Sequence, residues 1–476
     1  IDIEAYAQKG MRDWQIPGMA IAIVQGDEVI FSKGFGIKDI NSKAPVTEDT
    51  IFQIGSTSKA FTTTLMAMLQ DAGKFKWEEP VVNYLPDFML YDPWVTREFQ
   101  VWDLMAQHSG LPGYSADSVI MCGFDRAYVR SILRYIKPVS SFRAKYAYQN
   151  HLFLVAAELL EKLSGKTWED NVRERIFAPL GMTNSSVDMD SFQRSGNAAS
   201  LHVKSGDKVI VLPMDWKYMD WVYKYGPAGG INSNIKDMAK WIKFQINSGA
   251  VSGKQLVSQE NMQFLRSPKT ITEADFEGHK AYYCQGWLYM ENQPYPIIWH
   301  NGGTTGMKTM VAFIPEAKIG IVILSNLITS FPELLAFRFF DEYFGKSVKD
   351  TSAEALAKEK KEIEEAKAKL PKKPEYPSGA MPLEKYSGTY SNPVYGKIKV
   401  EVKGDTLIVT GGPRPMQLVL KHWDKDIFSE SCPDFGFEDS GGVFARFEVG
   451  PDNKITGLTI DSLNQIRLTR MVAEFL

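Results

Sequence analysis

The chain has few of the residues on which disulfide frameworks, metal sites and membrane spans depend. Its 476 residues include three cysteines, which lie far apart at Cys122, Cys284 and Cys432. An odd number at such spacing predicts neither a disulfide framework nor a metal site, and the six histidines are equally scattered. No apolar run reaches the roughly 18 residues of a spanning helix. We therefore expect no metal, no cofactor and no membrane span.

The charge is close to balanced, because 54 lysines and arginines stand against 57 aspartates and glutamates, for a net charge of -3. This balance offers no basic face to nucleic acid, so we expect no nucleic-acid partner. Hydrophobic residues make up 44% of the chain and aromatic residues 12%, which predicts a large core divided between two or three domains. No signal peptide is recognisable, and we expect a cytoplasmic location, or an extracytoplasmic one if a leader preceded Ile1.

One stretch carries a pattern with chemical meaning: Ile54-Gly55-Ser56-Thr57-Ser58-Lys59-Ala60-Phe61. On a helix, a serine and a lysine three positions apart lie on the same face, about one turn apart. A neutral lysine so placed can accept the hydroxyl proton and make Ser56 a nucleophile. The same spacing recurs at Ser205/Lys208, in a polar turn, and at Ser233/Lys236, where we expect Ser233 to cap a helix.

Apolar neighbours distinguish the Ser56 stretch from the other two. Ile51 to Ile54 precedes it and Leu65 to Leu69 follows it, which predicts a helix that is buried on most sides. Burial would depress the pKa of Lys59 far enough for the amine to act as a base. These residues alone leave an alternative open, namely an N-cap serine beside a solvated lysine.

The order of the other elements predicts an α+β first domain over residues 1–350. Periodicity and turn residues predict the following helices and strands: helix Asp2–Trp14, strands Met19–Val24 and Glu28–Phe31, the Ser56 helix ending at Gly73, helix Leu152–Leu163, strands Ile297–His300, Lys308–Ile314 and Ile319–Leu324, and helix Leu334–Phe344.

A change of composition marks the end of that domain. Residues 351–377 begin with a capping box, continue almost entirely in Ala, Glu and Lys, and end in prolines, which predicts a charged helical linker. Residues 378–476 alternate in short segments divided by turns, which predicts a small antiparallel barrel or sandwich. Its expected strands are Ile398–Val402, Thr406–Thr410, Gln417–Leu420, Val443–Val449, Ile455–Ile460 and Ile466–Arg470.

Two further motifs follow Ser56 in order. Tyr148-Gln149-Asn150 offers a phenol that can relay a proton and an amide that can hold a substrate carbonyl, and His300-Asn301-Gly302-Gly303 follows a strand, where glycines permit close backbone approach. Each motif has decoys, at Tyr390-Ser391-Asn392, His108-Ser109-Gly110 and Lys318-Ile319-Gly320. Singly these signals are more often structural than catalytic, whereas their joint order favours a site.

With these motifs the sequence resembles the serine β-lactamase and penicillin-binding-protein superfamily, in its CubicO-type branch. The resemblance runs from about Ile16 to Asn326. It rests on six ordered motifs: Ile54-Gly55-Ser56-Thr57-Ser58-Lys59, Gln107-His108-Ser109-Gly110-Leu111-Pro112, Tyr148-Gln149-Asn150, Pro179-Leu180-Gly181-Met182-Thr183, Ala228-Gly229-Gly230-Ile231-Asn232-Ser233 and His300-Asn301-Gly302-Gly303-Thr304-Thr305-Gly306. It implies a β-lactamase/transpeptidase-like domain, in which helices cover an antiparallel sheet beside a helical subdomain, followed by a lipocalin-like barrel.

The resemblance implies a role for each matched residue. Ser56 would be the acylated nucleophile, Lys59 its general-base partner, and Tyr148 the group that carries a proton to the leaving group. Asn150 would bind the substrate amide. Backbone N–H groups of Ser56 and Gly303 would form the oxyanion hole, with Asn301 and Gly302 as further substrate-binding residues. His108 lies in a motif that is structural in this family and stays outside the predicted site.

His300 stands where β-lactamases usually carry a lysine, and carboxypeptidases and D-aminopeptidases of the family often carry histidine. The resemblance therefore implies a serine peptidase acting on peptides with D-residues, assembled as a homo-oligomer. A broad esterase or β-lactamase-like hydrolase with the same site and a non-catalytic scaffold remain alternatives. If the charge of His300 held a substrate carboxylate, activity would fall as pH rose through its pKa.

Overall fold

The computed structural model describes residues 2–115, 117–272, 278–346, 349–433, 442–463 and 467–471. The chain divides into two compact units. The first comprises Ile1–Tyr114 and Lys137–Ala357, and the second comprises Ser115–Ile136 and Lys358–Leu476. The site motifs all belong to the first unit.

An antiparallel sheet forms the centre of the first unit. The strands of this unit are β1 (Gly18–Gln25), β2 (Glu28–Gly36), β3 (Phe52–Gln53), β4 (Leu201–Ser205), β5 (Lys208–Leu212), β6 (Asn232–Ser233), β7 (Ala250–Val251), β8 (Lys254–Gln255), β9 (Thr270–Ile271), β10 (Ala281–Tyr283), β11 (Leu288–Met290), β12 (Ile297–Gly303), β13 (Lys308–Ile314) and β14 (Ile319–Ser325). In the central sheet the strands run in the order β2-β1-β14-β13-β12-β11-β10-β9.

Helices cover both faces of this sheet. The helices of the described chain are α1 (Ile3–Trp14), α2 (Lys59–Asp71), α3 (Pro93–Glu98), α4 (Asp117–Met121), α5 (Arg126–Ile132), α6 (His151–Ser164), α7 (Trp168–Val172), α8 (Ala178–Leu180), α9 (Met189–Arg194), α10 (Trp221–Lys224), α11 (Gly226–Gly229), α12 (Ile235–Ile246), α13 (Gln259–Arg266), α14 (Phe331–Tyr343) and α15 (Thr351–Lys369). α14 packs on one face of β13 and β14, and α12 packs on the other. Because helices cover both faces, β13 is continuously apolar from Met310 to Ile314, and β14 has no charged residue along its length.

The alternation of side chains along β1 assigns residues to the two faces. Met19, Ile21 and Ile23 join a core cluster with Trp14 of α1 and Phe331 of α14. The intervening small residues face α12. Full burial of an aliphatic side chain is worth about 1.5–3 kcal/mol, so this two-sided core supplies the rigid support on which the site motifs are mounted.

The second unit contains the predicted barrel. Eight described strands close it in sequence order: β15 (Gly388–Asn392), β16 (Gly396–Lys403), β17 (Thr406–Gly411), β18 (Met416–Asp424), β19 (Ile427–Ser431), β20 (Phe444–Val449), β21 (Ile455–Ile460) and β22 (Arg467–Arg470). Within β16, Ile398 and Val400 point inward while Lys399 and Glu401 are exposed, as a barrel wall requires. The predicted last strand began at Ile466, which lies outside the described residues.

A segment from the first half of the chain belongs to the barrel unit. Residues Ser115–Ile136, which include α4 and α5, group with the barrel. The Ser118 and Tyr395 hydroxyls lie 2.6 Å apart, and Tyr128 Oη donates to the Val394 carbonyl at 3.1 Å. Periodicity gave no indication of this pairing, because nothing in the sequence of a short helix identifies a partner 270 residues away.

The expected cap of α12 is one residue off. Ser233 lies in β6, where its hydroxyl is 2.8 Å from that of Ser185, and Asn234 is the N-cap, accepting from the Asp237 N–H at 2.9 Å. Pairing of β6 with β3 draws Ser233 into extended backbone. Asparagine caps a helix as well as serine does, so the helix start was correctly predicted and its cap residue was not.

In the part of the chain that the structure describes, no helix is long and apolar enough to cross a membrane. Over the same residues, no cluster of three or more His, Cys, Asp or Glu side chains could hold a metal ion.

Candidate active site

Ser56 and Lys59 are brought together by a tight turn at the start of α2. Gly55 adopts a left-handed φ of 54°, and Gly55–Ser58 form one turn of 3-10 helix that continues into α2. The sequence predicted a single α-helix here. The turn leaves Ser56 half-buried and Lys59 fully buried, with Lys59 Nζ 3.1 Å from Ser56 Oγ.

The surroundings of Lys59 exclude the alternative of a solvated lysine. Its ammonium group donates to Asn150 Oδ1 at 2.7 Å and to the Ala228 carbonyl at 2.9 Å, as well as to Ser56 Oγ. It also lies 4.7 Å from the centre of the Tyr148 ring. Ser56 is not the N-cap of α2, because it lies inside the 3-10 turn and Ser58 occupies the cap position. Burying a lysine among neutral oxygens costs desolvation free energy, and a lysine on a solvated helix surface would not incur that cost.

Tyr148 approaches Ser56 from the loop before α6. Burial, together with the neighbouring Tyr283, raises the Tyr148 pKa well above its ordinary value, and the Ser56 side chain offsets only part of that rise. The phenol therefore stays protonated at neutral pH. It can pass a proton onward, accepting one as it donates its own, but it is not a phenolate base.

A clamp between two glutamines holds the Tyr148 loop in place. The Gln149 backbone N–H donates to Gln107 Oε1 at 2.5 Å, and Gln107 Nε2 donates to the Gln149 carbonyl at 3.1 Å. Gln149 Nε2 in turn donates to the Leu111 and Pro112 carbonyls. The Gln107–Pro112 motif therefore acts as a support for Tyr148 and Asn150.

His108 belongs to that support. Its Nε2 lies 2.8 Å from Asp103 Oδ1, and Arg143 binds the same carboxylate through two nitrogens at 2.8 and 2.7 Å. Its Nδ1 lies 2.9 Å from the hydroxyl of Thr270. Both ring nitrogens are thus committed to a buried structural network, in agreement with its exclusion from the predicted site.

Strand β12 closes the site against the Ser56 turn. A Cβ at Gly302 would lie 2.0 Å from the Ile54 carbonyl oxygen and 3.0 Å from the Ser56 nitrogen. A Cβ at Gly55 would lie 2.7 Å from the Gly303 nitrogen. The backbones of the two segments are therefore in direct contact, and this contact brings the Ser56 and Gly303 amides into one neighbourhood.

His300 lies beside Lys59 but has no free ring nitrogen. Its Nδ1 lies 2.5 Å from the Asn301 carbonyl, and its Nε2 lies 3.2 Å from the Tyr283 hydroxyl. Burial and the positive charge of Lys59 lower the pKa of His300 to about 3. The ring is therefore neutral at physiological pH. This state disfavours the expectation that a charged His300 holds a substrate carboxylate.

The buried His300 predicts a loss of stability in acid. In the unfolded chain its pKa is about 6.5, so between that value and about 3 the unfolded state binds a proton that the folded state does not. Stability is thus complete above pH 6.5 and falls below it, by at most about 1.4 kcal/mol per pH unit from this residue. In urea titrations at pH 7.5, 6 and 5, His300→Gln should show a shallower decline than the wild type. Equal slopes would contradict a neutral, buried His300.

The Asn301 side chain points away from Lys59, toward α14. Asn301 Nδ2 donates to Glu333 Oε1 of α14 at 2.6 Å, and Lys308 Nζ lies 2.5 Å from the same oxygen. Successive side chains of a strand alternate between faces, so His300 on the Lys59 face places Asn301 on the α14 face. The Asn301 side chain is therefore occupied by Glu333, and a part for Asn301 in substrate binding stays a prediction.

Tyr283 of β10 is a residue of this site that was not predicted from the sequence. This tyrosine is fully buried, contacts His300 through its hydroxyl, and packs edge-on against Tyr148 with ring centres 6.2 Å apart. It belongs to no recognisable motif. Its only signal is a Tyr-Tyr pair on a short strand, which predicts a core residue as readily as a site residue.

Comparison with known families accounts for both units. The family described as Beta-lactamase matches residues 3–336, and a domain of unknown function, DUF3471, matches residues 371–474. The structure resembles that of the octameric penicillin-binding protein homologue from Pyrococcus abyssi, with a TM-score of 0.64 and 22% identity over 99% of this chain and 100% of that one. At this identity the likeness concerns the fold alone, and it agrees with the predicted fold class, which is confirmed.

Curated relatives point in the same direction. The unguisins hydrolase ungD' of Aspergillus campestris is 29% identical over 95% of this chain and 87% of its own length. The unguisins hydrolase ungD of Aspergillus violaceofuscus is 26% identical over 84% of this chain and 76% of its own length. Protein flp of Staphylococcus aureus is 25% identical over 68% of this chain and 62% of its own length. The CubicO-type branch stays a prediction. Because the family match spans well over half of the sequence, the chain belongs to the β-lactamase family of serine hydrolases.

Proposed function

We propose that the enzyme cleaves amide bonds through an acyl-enzyme on Ser56, with peptides that contain D-residues as its substrates. One observation carries the mechanism, namely that the buried Lys59 Nζ lies 3.1 Å from Ser56 Oγ and 4.7 Å from the centre of the Tyr148 ring. A nucleophile in contact with a base and a proton relay is the arrangement that covalent catalysis requires.

The protonation states assign the order of steps. Because Tyr148 is held as a phenol, the neutral form of Lys59 takes the proton of Ser56 as its oxygen attacks the substrate carbonyl. The tetrahedral oxyanion lies against the Ser56 and Gly303 N–H groups, which stabilise it. Lys59 then returns the proton through Tyr148 to the leaving nitrogen, the carbon–nitrogen bond breaks, and Ser56 is left acylated. Water, deprotonated by the same pair, hydrolyses the ester and regenerates Ser56.

The proposal of peptide substrates rests on His300, which stands where β-lactamases usually carry a lysine. The neutral state of the His300 ring narrows the choice between kinds of peptidase. No charge on His300 is available to hold a free carboxylate at neutral pH, and Lys308 is already paired with Glu333. These two facts favour release of an N-terminal residue over a carboxypeptidase reaction. The unguisins hydrolases among the relatives support hydrolysis as the reaction class.

Two measurements test this function. Treatment with a fluorophosphonate, followed by peptide mass spectrometry, should place the adduct on Ser56 alone. D-alanine p-nitroanilide should then be turned over at a higher kcat/KM than L-alanine p-nitroanilide and an acyl-D-alanyl-D-alanine peptide. Preference for p-nitrophenyl butyrate over every amide would instead identify an esterase, and absence of the Ser56 adduct would contradict the mechanism as a whole.

We also propose a homo-oligomer. The Pyrococcus abyssi homologue is octameric. The proposed mechanism uses no residue of the barrel, which leaves the barrel available for contacts between subunits. Native mass spectrometry should give a multiple of the 53.6 kDa chain, whereas a monomer at micromolar concentration would exclude the proposal.

A further inference from the structure

Tyr283 joins two parts of the site that come from distant stretches of sequence. Its hydroxyl lies 3.2 Å from His300 Nε2 on β12, and its ring packs edge-on against that of Tyr148, with ring centres 6.2 Å apart. Tyr283 thus stands between the strand that bears His300 and the loop that bears Tyr148, and its own side chain is fully buried.

The hydrogen bond between Tyr283 and His300 can run in one direction only, because the other ring nitrogen of His300 has a partner that fixes the proton. The Asn301 carbonyl can only accept, so His300 Nδ1 carries the proton. His300 Nε2 is then an acceptor, and the Tyr283 O–H donates to it.

From this geometry we propose that Tyr283 is a positioning residue, which holds His300 as the neutral Nδ1–H tautomer and thereby ties the His300 strand to the Tyr148 loop. A proton on Nε2 would reverse the hydrogen bond between the two side chains, and the Tyr283 proton would lose its acceptor. In a buried site such a loss costs the full desolvation of the group.

The neutral ring matters for the chemistry at Ser56. The charged and titratable groups that face His300 are Lys59 of α2, Tyr148 of the loop before α6, Tyr283 of β10 and Lys308 of β13. A protonated His300 would be a second cation beside Lys59, and it would oppose the transfer of the Ser56 proton to that amine. The inference rests on the proposed function in this respect, since it assigns Lys59 the role of base.

The first test uses the wild-type enzyme. In a ¹⁵N NMR spectrum at pH 7, with the His300 signals assigned by comparison with His300→Gln, Nδ1 should have the shift of a protonated nitrogen and Nε2 that of an unprotonated one. An Nε2–H tautomer or a doubly protonated ring would overturn the proposal. This result does not depend on turnover, so it stands or falls separately from the proposed function.

The second test removes the Tyr283 hydroxyl and keeps its ring. In Tyr283→Phe the neutral form of His300 loses a donor, so its pKa should rise, and the acid limb of the fluorophosphonate labelling rate should move upward by at least one pH unit. Tyr282→Phe is the matched control, because its hydroxyl bonds Glu291 at the surface, and its profile should coincide with the wild type. A folded Tyr283→Phe enzyme with an unshifted profile would overturn the proposal; if that variant does not fold, the NMR measurement decides.

Discussion

Replacement of Ser56 by alanine, or of Lys59 by methionine, should reduce turnover by about 10⁴-fold or more, because a nucleophile and its base act as one unit. Methionine is chosen for Lys59 because the side chain is fully buried and an alanine would leave a cavity. The unbranched thioether keeps most of the volume and removes the amine. The loss should appear in kcat and in the rate of fluorophosphonate labelling, with thermal unfolding close to that of the wild type.

The chain supplies its own matched control for this experiment. Ser233 and Lys236 repeat the same spacing, but Lys236 is exposed and paired with Asp49 at the surface, while the Ser233 hydroxyl contacts Ser185. Ser233→Ala and Lys236→Met should therefore leave kcat unchanged, with a surface ion pair worth at most about 1 kcal/mol of stability. Near-normal turnover by Lys59→Met would assign the base to another group.

The contrast between these two pairs shows what the sequence could settle and what it could not. Apolar flanks correctly predicted that the helix after Ser56 is buried, since they determine which faces of a helix can be exposed. The state of Lys59 was open, because its partners Asn150 and Ala228 lie 91 and 169 residues away along the chain. Only the folded structure brings these oxygens to the amine and excludes a solvated lysine.

The strands and His300 differ in the same way, because local signals determine the strands and distant residues determine the ionisation of His300. Strands β1, β13 and β14 were predicted because hydrophobic runs and turn residues are local signals. The ionisation of His300 is not local. It depends on burial, on Lys59 and on Tyr283, and a histidine met in sequence has only its ordinary pKa of about 6.5. Whether the His300 ring is charged therefore depends on the fold and could not be predicted from the sequence.

Gly302 and Gly303 form the second pair for which we expect a large difference. Both lie at the end of β12 with backbone conformations that alanine can adopt, so space alone distinguishes them. A methyl group on Gly302 would lie 2.0 Å from the Ile54 carbonyl oxygen, whereas one on Gly303 would meet nothing within 4 Å. Gly302→Ala must therefore push β12 away from the Ser56 turn, and Gly303→Ala need not move it.

If the contact between these backbones forms the oxyanion hole, Gly302→Ala should lower kcat by about 10²–10³-fold, the cost of losing one such donor. Gly303→Ala keeps its N–H and should stay within about threefold of the wild type. Labelling of Ser56 by fluorophosphonate, which also passes through an anionic phosphorus centre, should be slowed in the same ratio. Circular dichroism would show whether the Gly302 variant remains folded. Equal rates for a folded Gly302→Ala enzyme and the wild type would mean that the oxyanion is bound by groups other than the amides of the Ser56 turn and β12, because no shift of β12 could then have disturbed them.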